Sequence, residues 1–491
     1  MGADQGLYAY VGERILRGDR PYVDAWDQKP PAIHYTYALM RALWASDGIV
    51  PAADIAAAAA VALLLFLIGR DLASRGVGAS AALLFLLLSN PALTRLNGVR
   101  VRAQCETFIA LAVAAGLYAL VRRRGAGMWP YAASGVFFGV AFAFKYNAAI
   151  YAAVAVAGLL AARSLTWRRA AAFVGGTAIA PVVFLLLLSP ALVQLYEATI
   201  EYNLRYSGET YSGPLHFLTY LVTFPIDRAR DDALWTLGGA GCAALLAGSV
   251  RNRACLIPVA WVAGACLSIA INGSRGLPQY FVQAAPGLAL AAAWAGWILF
   301  RSAARSFSPR TARLAVVTAA AVIAIAAWRV NQFPKLVEQT AFDANHLLGR
   351  TPRDVYLARY ADPRKYSALG ARQVADFMEA HTAPGSPVYV FGFTGAAYVY
   401  AGRPSASRFF WSRPVIAGFN AGRPDYGAAG VLADLERARP GVVALQLHDW
   451  APDVDDSAHY FLTTPPLAEW LRANYRQASG PEGFDVWLRR E

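Results

Sequence analysis

Ionisable side chains cluster shortly before the first long apolar run of the chain. The stretch YVDAWDQKPPAIHY places Asp27 and Lys29 directly before a proline pair. Prolines fix backbone dihedrals and disfavour helix just before them, so these two side chains are predicted to lie on a rigid, non-helical segment at the membrane surface. Upstream, Asp4 and Tyr8 share one face of a predicted helix at the i, i+4 spacing. A carboxylate such as Asp4, held at a bilayer surface, can act as a general base toward an acceptor hydroxyl.

Each of these residues also has a purely structural interpretation. Aromatic residues beside a lysine and prolines are typical of an interfacial membrane anchor, and Tyr22, Trp26 and Tyr35 suit that position. An aspartate in the first turn of a helix, such as Asp4, is stabilised by the helix dipole without any catalytic role.

A second group of charges follows the next apolar runs. The stretch TRLNGVRVRAQCETF contains Arg95, Arg100 and Arg102, and Glu106 stands at the start of an apolar helix. Guanidinium groups match phosphate oxygens, and a carboxylate beside the bilayer is costly unless it is paired or functional. We therefore expect anion binding here, with a structural Glu106–arginine pair as the alternative. Lys145 interrupts two further apolar runs. It suits a phosphate site or simple snorkelling to the interface.

Two later polar segments add weaker candidates. NGSRGLPQY supplies Arg275 and Tyr280 at the start of another apolar helix, and YEATIEYNLRYSGETY supplies Tyr202 and Asn203 in a long polar loop. Such side chains suit contacts with a phosphate, a sugar or an acceptor.

The elements that must position these residues are mostly membrane-spanning helices. Hydrophobic residues make up 57% of the 491 residues and charged residues only 16%. Crossing a bilayer takes roughly 20 apolar residues, and about ten runs approach that length. The predicted spans are 51–70, 76–94, 105–121, 128–144, 147–162, 170–189, 232–249, 254–272, 280–300 and 312–328.

Charge fixes the predicted orientation of these spans. Arginine-rich loops fall on alternate connections, so they all lie on one side, which is the cytoplasm by the positive-inside rule. This accounts for the net charge of +13 without nucleic-acid binding. The opposite side then carries the candidate residues and a tail of ordinary polarity, in which GSPVYVFGF and GVVALQL predict buried strands and ALGARQVADFMEAH predicts an amphipathic helix.

The predicted domains are an extracytoplasmic first loop with juxtamembrane helices at 1–50, a transmembrane helical domain at 51–328 and an extracytoplasmic α/β domain at 329–491. Ten spans with a non-cytoplasmic tail put residue 1 outside the cytoplasm as well. We therefore expect one further N-terminal span that this sequence does not include.

The stretch ADQGLYAYVGERILRGDRPYVDAWDQKPP resembles the first outer loop of the GT-C glycosyltransferases. The resemblance is to glycosyltransferase family 39 and its bacterial relatives, including protein O-mannosyltransferase-like enzymes, lipid A aminoarabinose transferases and Rgt-type galacturonosyltransferases. It continues through AQCETF, GVFFGVAFAFKYN and LPQYFVQAAPGLAL and covers essentially the whole chain.

The resemblance implies transfer of a sugar, with inversion, from a polyprenyl-phosphate-linked donor to a glycan, lipid or protein acceptor at the outer face of the cytoplasmic (inner) membrane. It implies that Asp4 and Glu106 are catalytic carboxylates. It implies a donor-phosphate site formed by cationic residues, namely Lys29, Arg95, Arg100, Arg102, Lys145 and Arg275. Tyr8, Asp27, Tyr202, Asn203 and Tyr280 are the predicted substrate-binding residues.

Gln5 departs from the resemblance, because many relatives carry a second acidic residue at this position. No cofactor is expected, and a divalent metal is compatible with the sequence but not indicated by it. A transporter or flippase of a lipid-linked or anionic substrate is the main alternative, although transporters usually place their charges at mid-membrane. A non-catalytic scaffold protein is a further one. The sequence identifies neither the sugar nor the acceptor.

Overall fold

The structure, a computed structural model, describes residues 1–89, 102–122, 127–306, 332–362, 366–449 and 456–490, with scattered positions between 307 and 331. The chain divides into two compact units. The first comprises Met1–Val50, Leu188–Asn203 and Phe342–Glu491, and the second comprises Pro51–Leu187 and Leu204–Ala341. The predicted domain boundaries after residues 50 and 328 stay predictions.

Helices account for most of the described chain. Those of the first 306 residues are α1 (Ala3–Leu16), α2 (Pro31–Leu43), α3 (Ile49–Leu72), α4 (Arg75–Leu88), α5 (Cys105–Arg122), α6 (Trp129–Phe144), α7 (Ala149–Ala161), α8 (Trp167–Leu187), α9 (Leu192–Tyr196), α10 (Tyr202–Gly208), α11 (Pro214–Asp231), α12 (Ala233–Gly248), α13 (Leu256–Ile271) and α14 (Ala285–Ser306). A π-helical turn, Glu197–Glu201, joins α9 to α10. Short 3₁₀ turns are Tyr146–Ala148, Ser189–Ala191, Arg253–Cys255 and Pro278–Ala284.

The remaining helices are α15 (Gln332–Leu347), α16 (Arg353–Ala358), α17 (Ala368–His381), α18 (Ala396–Ala401), α19 (Arg413–Ile416), α20 (Gly427–Ala438), α21 (Ser457–Thr463) and α22 (Pro465–Asn474). The strands are β1 (Ala361–Asp362), β2 (Tyr366–Ser367), β3 (Tyr389–Phe391), β4 (Val442–Gln446), β5 (Tyr475–Ala478) and β6 (Phe484–Arg489).

Apolar helices dominate the second unit. Five are long and apolar enough to cross a bilayer: Ile49–Leu72, Cys105–Arg122, Trp167–Leu187, Arg253–Ile271 and Pro278–Ser302. Four shorter apolar helices are Arg75–Leu88, Trp129–Phe144, Tyr146–Ala161 and Ala233–Gly248. Together they correspond to the first nine predicted spans, so the predicted polytopic helical fold is confirmed and the chain is a multi-pass membrane protein. The tenth predicted span, 312–328, and the end of 76–94 fall largely outside the described residues.

Glycines bring α6 and α8 into backbone contact. A methyl group at Gly135 would lie 2.1 Å from the Phe173 carbonyl oxygen, and one at Gly139 would lie 2.3 Å from that of Thr177. From the α8 side, a methyl at Gly176 would lie 2.3 Å from the carbonyl oxygen of Ala132. Small residues at such crossings are typical of membrane helix pairs, because they let dispersion contacts between backbones replace the missing hydrophobic driving force.

The C-terminal part of the first unit contains a four-stranded sheet in the order β3-β4-β6-β5. β4 lies parallel to β3 and antiparallel to β6, which pairs antiparallel with β5. All residues of β3 and β4 are buried, which explains their continuous apolar sequence. The two predicted strands and the predicted helix, now α17, are confirmed; β5 and β6 were not predicted.

Helix α1 is packed tightly inside the first unit. A methyl at Gly12 would lie 2.7 Å from the backbone nitrogen of Ala38 in α2, and one at Gly6 would lie 2.6 Å from that of Ala396 in α18. α2 begins at Pro31, after Pro30 in an extended conformation with ψ of 157°. The proline pair therefore ends the loop and begins the helix, as its chemistry dictates.

Candidate functional site

Asp27 is the buried centre of an ionisable cluster in the first unit. Its side chain is 1% exposed, and its Oδ1 accepts a hydrogen bond of 2.7 Å from the backbone N–H of Gln28. Its Oδ2 lies 3.4 Å from Nε2 of His34, which is fully buried on the first turn of α2. Asp4 and Lys29 both lie near enough to act on the Asp27 carboxyl electrostatically. The structure thus brings together three of the predicted site residues: Asp4, Asp27 and Lys29.

Burial sets the charge state of this cluster. Desolvation raises the pKa of Asp27 to about 7; the Lys29 ammonium and the backbone donors oppose this rise, and the nearby Asp4 adds to it. Burial lowers the pKa of His34 to about 3. Asp27 therefore keeps its proton below neutral pH, and the contact with His34 joins two neutral groups.

Two other parts of the chain hold the backbone beside Lys29. The Tyr22 hydroxyl donates a hydrogen bond of 2.8 Å to the Lys29 carbonyl oxygen. Nδ2 of Asn203 donates to the carbonyl oxygen of Gln28 at 2.7 Å and to that of Thr199 at 3.0 Å. Lys29 itself is half-buried. The backbone at Gln28 and Lys29 is thus held by two side-chain hydrogen bonds, while the Lys29 side chain keeps access to solvent.

The predicted substrate-binding tyrosines of the first unit are buried in aromatic packing. Tyr8 is 1% exposed, and its ring makes edge-on contacts with His34 at 6.1 Å and with Tyr37 at 5.4 Å. Tyr202 is 3% exposed and packs edge-on against Trp26 at 5.1 Å. Tyr8 thus packs beside His34, and Tyr202 packs beside the residue that precedes Asp27. Contact of either tyrosine with substrate stays a prediction.

Glu106 and Lys145 form a buried ion pair in the second unit. Lys145 Nζ lies 2.6 Å from Glu106 Oε1, with side-chain exposures of 8% and 2% respectively. The ammonium also stands 4.5 Å from the centre of the Tyr280 ring. Glu106 lies in the first turn of α5, and Lys145 caps the C-terminus of α6. Three predicted residues therefore meet here, and the partner of Glu106 is a lysine rather than the arginine that the sequence suggested.

Asp54 holds the turn that leads to Glu106. This residue of α3 is 9% exposed, and its Oδ1 accepts hydrogen bonds from the backbone N–H of Ala103 at 2.8 Å and from the Thr107 hydroxyl at 3.2 Å. Ala103 has a positive φ of 47°, which the contact with Asp54 helps to stabilise. Arg102 Nη1 lies 3.8 Å from Asp54 Oδ2, so this predicted phosphate ligand has a carboxylate partner.

Arg275 is engaged within its own neighbourhood of the second unit. Its Nη1 donates a hydrogen bond of 2.7 Å to the Tyr206 carbonyl oxygen, its guanidinium stacks 3.5 Å above the Tyr206 ring, and its Nη2 lies 3.6 Å from Glu209. These contacts join two polar loops. The predicted role of Arg275 in phosphate binding stays a prediction, and Arg95 and Arg100 lie outside the described residues.

Sequence reasoning missed two residues of these clusters, His34 and Asp54. Each lies among apolar or aromatic residues near the start of its helix, and an ionisable side chain in such surroundings was the available signal. Within the described ranges no group of three or more His, Cys, Asp or Glu side chains could hold a metal ion.

Comparisons with known proteins bear on the fold. The family model described as dolichyl-phosphate-mannose-protein mannosyltransferase matches residues 28–193. No curated protein matches the chain significantly in sequence. Among solved structures, ArnT from Cupriavidus metallidurans bound to undecaprenyl phosphate superposes with a TM-score of 0.60 at 17% identity, covering 99% of this chain and 93% of that one.

An archaeal protein has a similar fold. The Archaeoglobus fulgidus oligosaccharyltransferase AglB, in complex with an inhibitory peptide and a dolichol-phosphate, gives a TM-score of 0.51 at 14% identity over 99% of this chain and 70% of its own. The same enzyme tethered to an acceptor peptide gives 0.51 at 12% identity. The chain has the GT-C fold. The resemblance inferred from the first loop is thereby confirmed at the level of the fold.

Proposed function

We propose that the chain is an integral-membrane glycosyltransferase that moves a sugar from a polyprenyl-phosphate carrier to an acceptor on the outer face of the cytoplasmic membrane. The fold likeness to ArnT bound to undecaprenyl phosphate and to AglB with a dolichol-phosphate supports this class of donor. One observation of this structure carries the proposal: Asp4 and Lys29, a carboxylate and a cation, both lie near enough to the buried Asp27 to act on it electrostatically.

The chemistry follows from these groups. The acceptor oxygen attacks the anomeric carbon of the donor sugar, and the bond from that carbon to the phosphate oxygen breaks. The electron pair leaves with the polyprenyl phosphate, whose developing charge needs a cation rather than a strong acid. Lys29 supplies that cation. The acceptor proton passes to Asp4, since Asp27 already holds its own proton below pH 7. A single displacement inverts the anomeric centre.

The roles of Glu106 and Lys145 are part of the proposal as a separate element. Their pair supplies one carboxylate and one ammonium at the end of apolar helices, which is a setting where ionisable groups are usually functional. We propose that they act in catalysis and phosphate binding respectively. The outer-face orientation rests on the arginine-rich loops, which fall on alternate connections between spans.

Donor turnover tests the proposal. The full chain in nanodiscs is given radiolabelled polyprenyl-phosphate sugars, and Asp4→Asn and Lys29→Ala are compared with the wild type. Both variants are expected to lose at least about a hundredfold in kcat, the usual contribution of a positioned base or charge-stabilising donor. Matched controls are Asp376→Asn, at an exposed aspartate of α17, and Arg20→Ala, at an exposed arginine of the first loop, and both variants keep full activity.

Two results would overturn the proposal. Wild-type protein that consumes none of the donors, while a lipid-linked substrate crosses the bilayer, makes the chain a transporter. Full turnover by Asp4→Asn removes the assigned base.

Orientation in the membrane is tested separately. A cysteine placed at the exposed Gly422 should react with an impermeant maleimide in intact spheroplasts, and one placed at the exposed Arg251 should react only after lysis. The reverse labelling pattern refutes the outer-face placement.

A further inference from the structure

Trp26 is enclosed by aromatic rings that come from distant parts of the first unit. Its side chain is fully buried. The ring centres of Tyr202, Phe409, Trp411 and Phe419 lie 5.1, 6.1, 6.3 and 5.9 Å from its own. Three of the four rings belong to the segment 409–419 of the C-terminal part. Such packing fixes the position of the Trp26 ring, because tilted and edge-on aromatic pairs attract each other in addition to burying apolar surface.

The backbone of Trp26 is held by the same segment. Its N–H donates a hydrogen bond of 2.9 Å to the Arg408 carbonyl oxygen, and its carbonyl oxygen accepts one of 3.1 Å from Nε1 of Trp411. With the bonds from Asn203 and Tyr22 described above, the carbonyl oxygens of residues 26, 28 and 29 each accept a hydrogen bond from a different side chain.

The segment that carries Asn203 is tied to the C-terminal part as well. Glu197, in the π-helical turn, is 8% exposed and accepts hydrogen bonds from the Tyr426 hydroxyl and from Nη1 of Arg423, both at 2.5 Å. Tyr426 also packs against Phe419 at 5.7 Å. Two of the three side chains that bond to the loop therefore depend on residues 408–426. Trp411 belongs to that region, and the segment of Asn203 is bound to it through Glu197.

We propose that Trp411 is a positioning residue for the donor phosphate: it fixes the loop that presents Lys29, so the C-terminal part of the first unit contributes to donor binding through the backbone of that loop. This inference rests on the proposed function, in which Lys29 binds the phosphate. A lysine contributes most to a phosphate site when its backbone is already fixed, because ordering the loop on binding would subtract from the affinity.

The test variant is Trp411→Phe, which keeps an aromatic ring and removes the Nε1–H that donates a hydrogen bond to the Trp26 carbonyl oxygen. The matched control is Trp487→Phe in β6, since Nε1 of Trp487 makes no hydrogen bond within the described part of the chain. The probe is undecaprenyl phosphate in nanodiscs, measured by equilibrium binding, with kcat and KM for a turned-over donor as the second readout. Thermal unfolding of each variant reports whether the fold is kept.

Trp411→Phe is expected to weaken binding about fivefold, the equivalent of one hydrogen bond of about 1 kcal/mol, and to raise the donor KM without changing the acceptor KM. Trp487→Phe binds as the wild type does. In a Lys29→Ala background, Trp411→Phe should bring no further loss, because it acts through the lysine. Should Trp411→Phe not fold, Tyr426→Phe tests the support from the same region, because it removes the hydrogen bond to Glu197.

The inference is overturned if Trp411→Phe binds undecaprenyl phosphate as tightly as the wild type does. It is also overturned if Trp411→Phe weakens binding as much in the Lys29→Ala background as in the wild type. Both results leave the proposed function standing as long as the wild type binds undecaprenyl phosphate. Failure of the wild type to bind it removes the proposed function itself, so the two failures are distinguishable.

Discussion

The buried Glu106–Lys145 pair predicts a strong and measurable coupling. At 2.6 Å and an effective dielectric constant near 20, two unit charges attract by about 6 kcal/mol, part of which is offset by the desolvation of both groups. Removing either charge leaves the other buried without compensation, which costs about 3–5 kcal/mol. We therefore expect Glu106→Gln and Lys145→Met each to lower the free energy of unfolding by that amount.

The double variant separates pairing from other effects. Glu106→Gln combined with Lys145→Met leaves no uncompensated charge. The double variant should therefore lose about as much free energy of unfolding as one single variant does. The sum of the two single losses then exceeds the double loss by a coupling energy of about 3 kcal/mol or more. The free energies of unfolding of the two single variants and the double variant are measured by SDS titration in mixed micelles, followed by tryptophan fluorescence. An exposed pair serves as control: Asp227 and Arg230 lie 3.0 Å apart at exposures of 62% and 74%, so Asp227→Asn should change stability by less than about 0.5 kcal/mol.

Additive losses within about 0.5 kcal/mol would refute the reasoning, since they would mean that the two charges do not depend on each other. Donor turnover by the double variant then separates structure from chemistry. A stable but inactive double variant supports the proposed roles of Glu106 and Lys145, and a stable and active one reduces the pair to a structural element.

Two further predictions concern the first unit. Because burial raises the pKa of Asp27 to about 7 from 3.8, its protonated form stabilises the fold at low pH, and this stabilisation is lost as pH rises from about 4 to 7. The melting temperature of Asp27→Asn minus that of the wild type should therefore increase across that window, and a flat difference would show that the carboxyl is not desolvated. Gly6→Ala should destabilise by about 1–3 kcal/mol in the same assay, because its methyl would lie 2.6 Å from the Ala396 nitrogen. Gly175→Ala, which meets open space, is the control, and equal effects of the two would contradict the close approach of α1 to α18.

The elements of the fold could be predicted where a local pattern decides the structure. Apolar runs of membrane length became the nine apolar helices because the bilayer leaves a backbone no other way to satisfy its hydrogen bonds. The proline pair fixed both the end of the loop and the start of α2. β3 and β4 were visible as continuous apolar runs, whereas β5, with its exposed Arg476 and Gln477, has no such pattern.

The clusters could be predicted only in part, because contacts between distant segments leave no local signal. The pairing of Glu106 with Lys145 spans 39 residues, and the hydrogen bond from Trp411 to Trp26 spans 385. Residue type indicated that Glu106 needed a partner but could not choose among the nearby cations. Arg275 shows the reverse case: its type suggested phosphate, while its three contacts hold it to Tyr206 and Glu209.

The glycine contact between α6 and α8 has a consequence for biogenesis. The two helices are separated in sequence by α7, and contacts advance together along both, from Gly135 with Phe173 to Gly139 with Thr177, so they run parallel. Parallel neighbours cannot close as a simple hairpin. The contact must wait until the ribosome has delivered three consecutive helices to the bilayer. A substitution at Gly139 is therefore expected to act during insertion, where quality-control proteases remove unpaired helices, and to reduce the amount of protein more than the activity of each molecule.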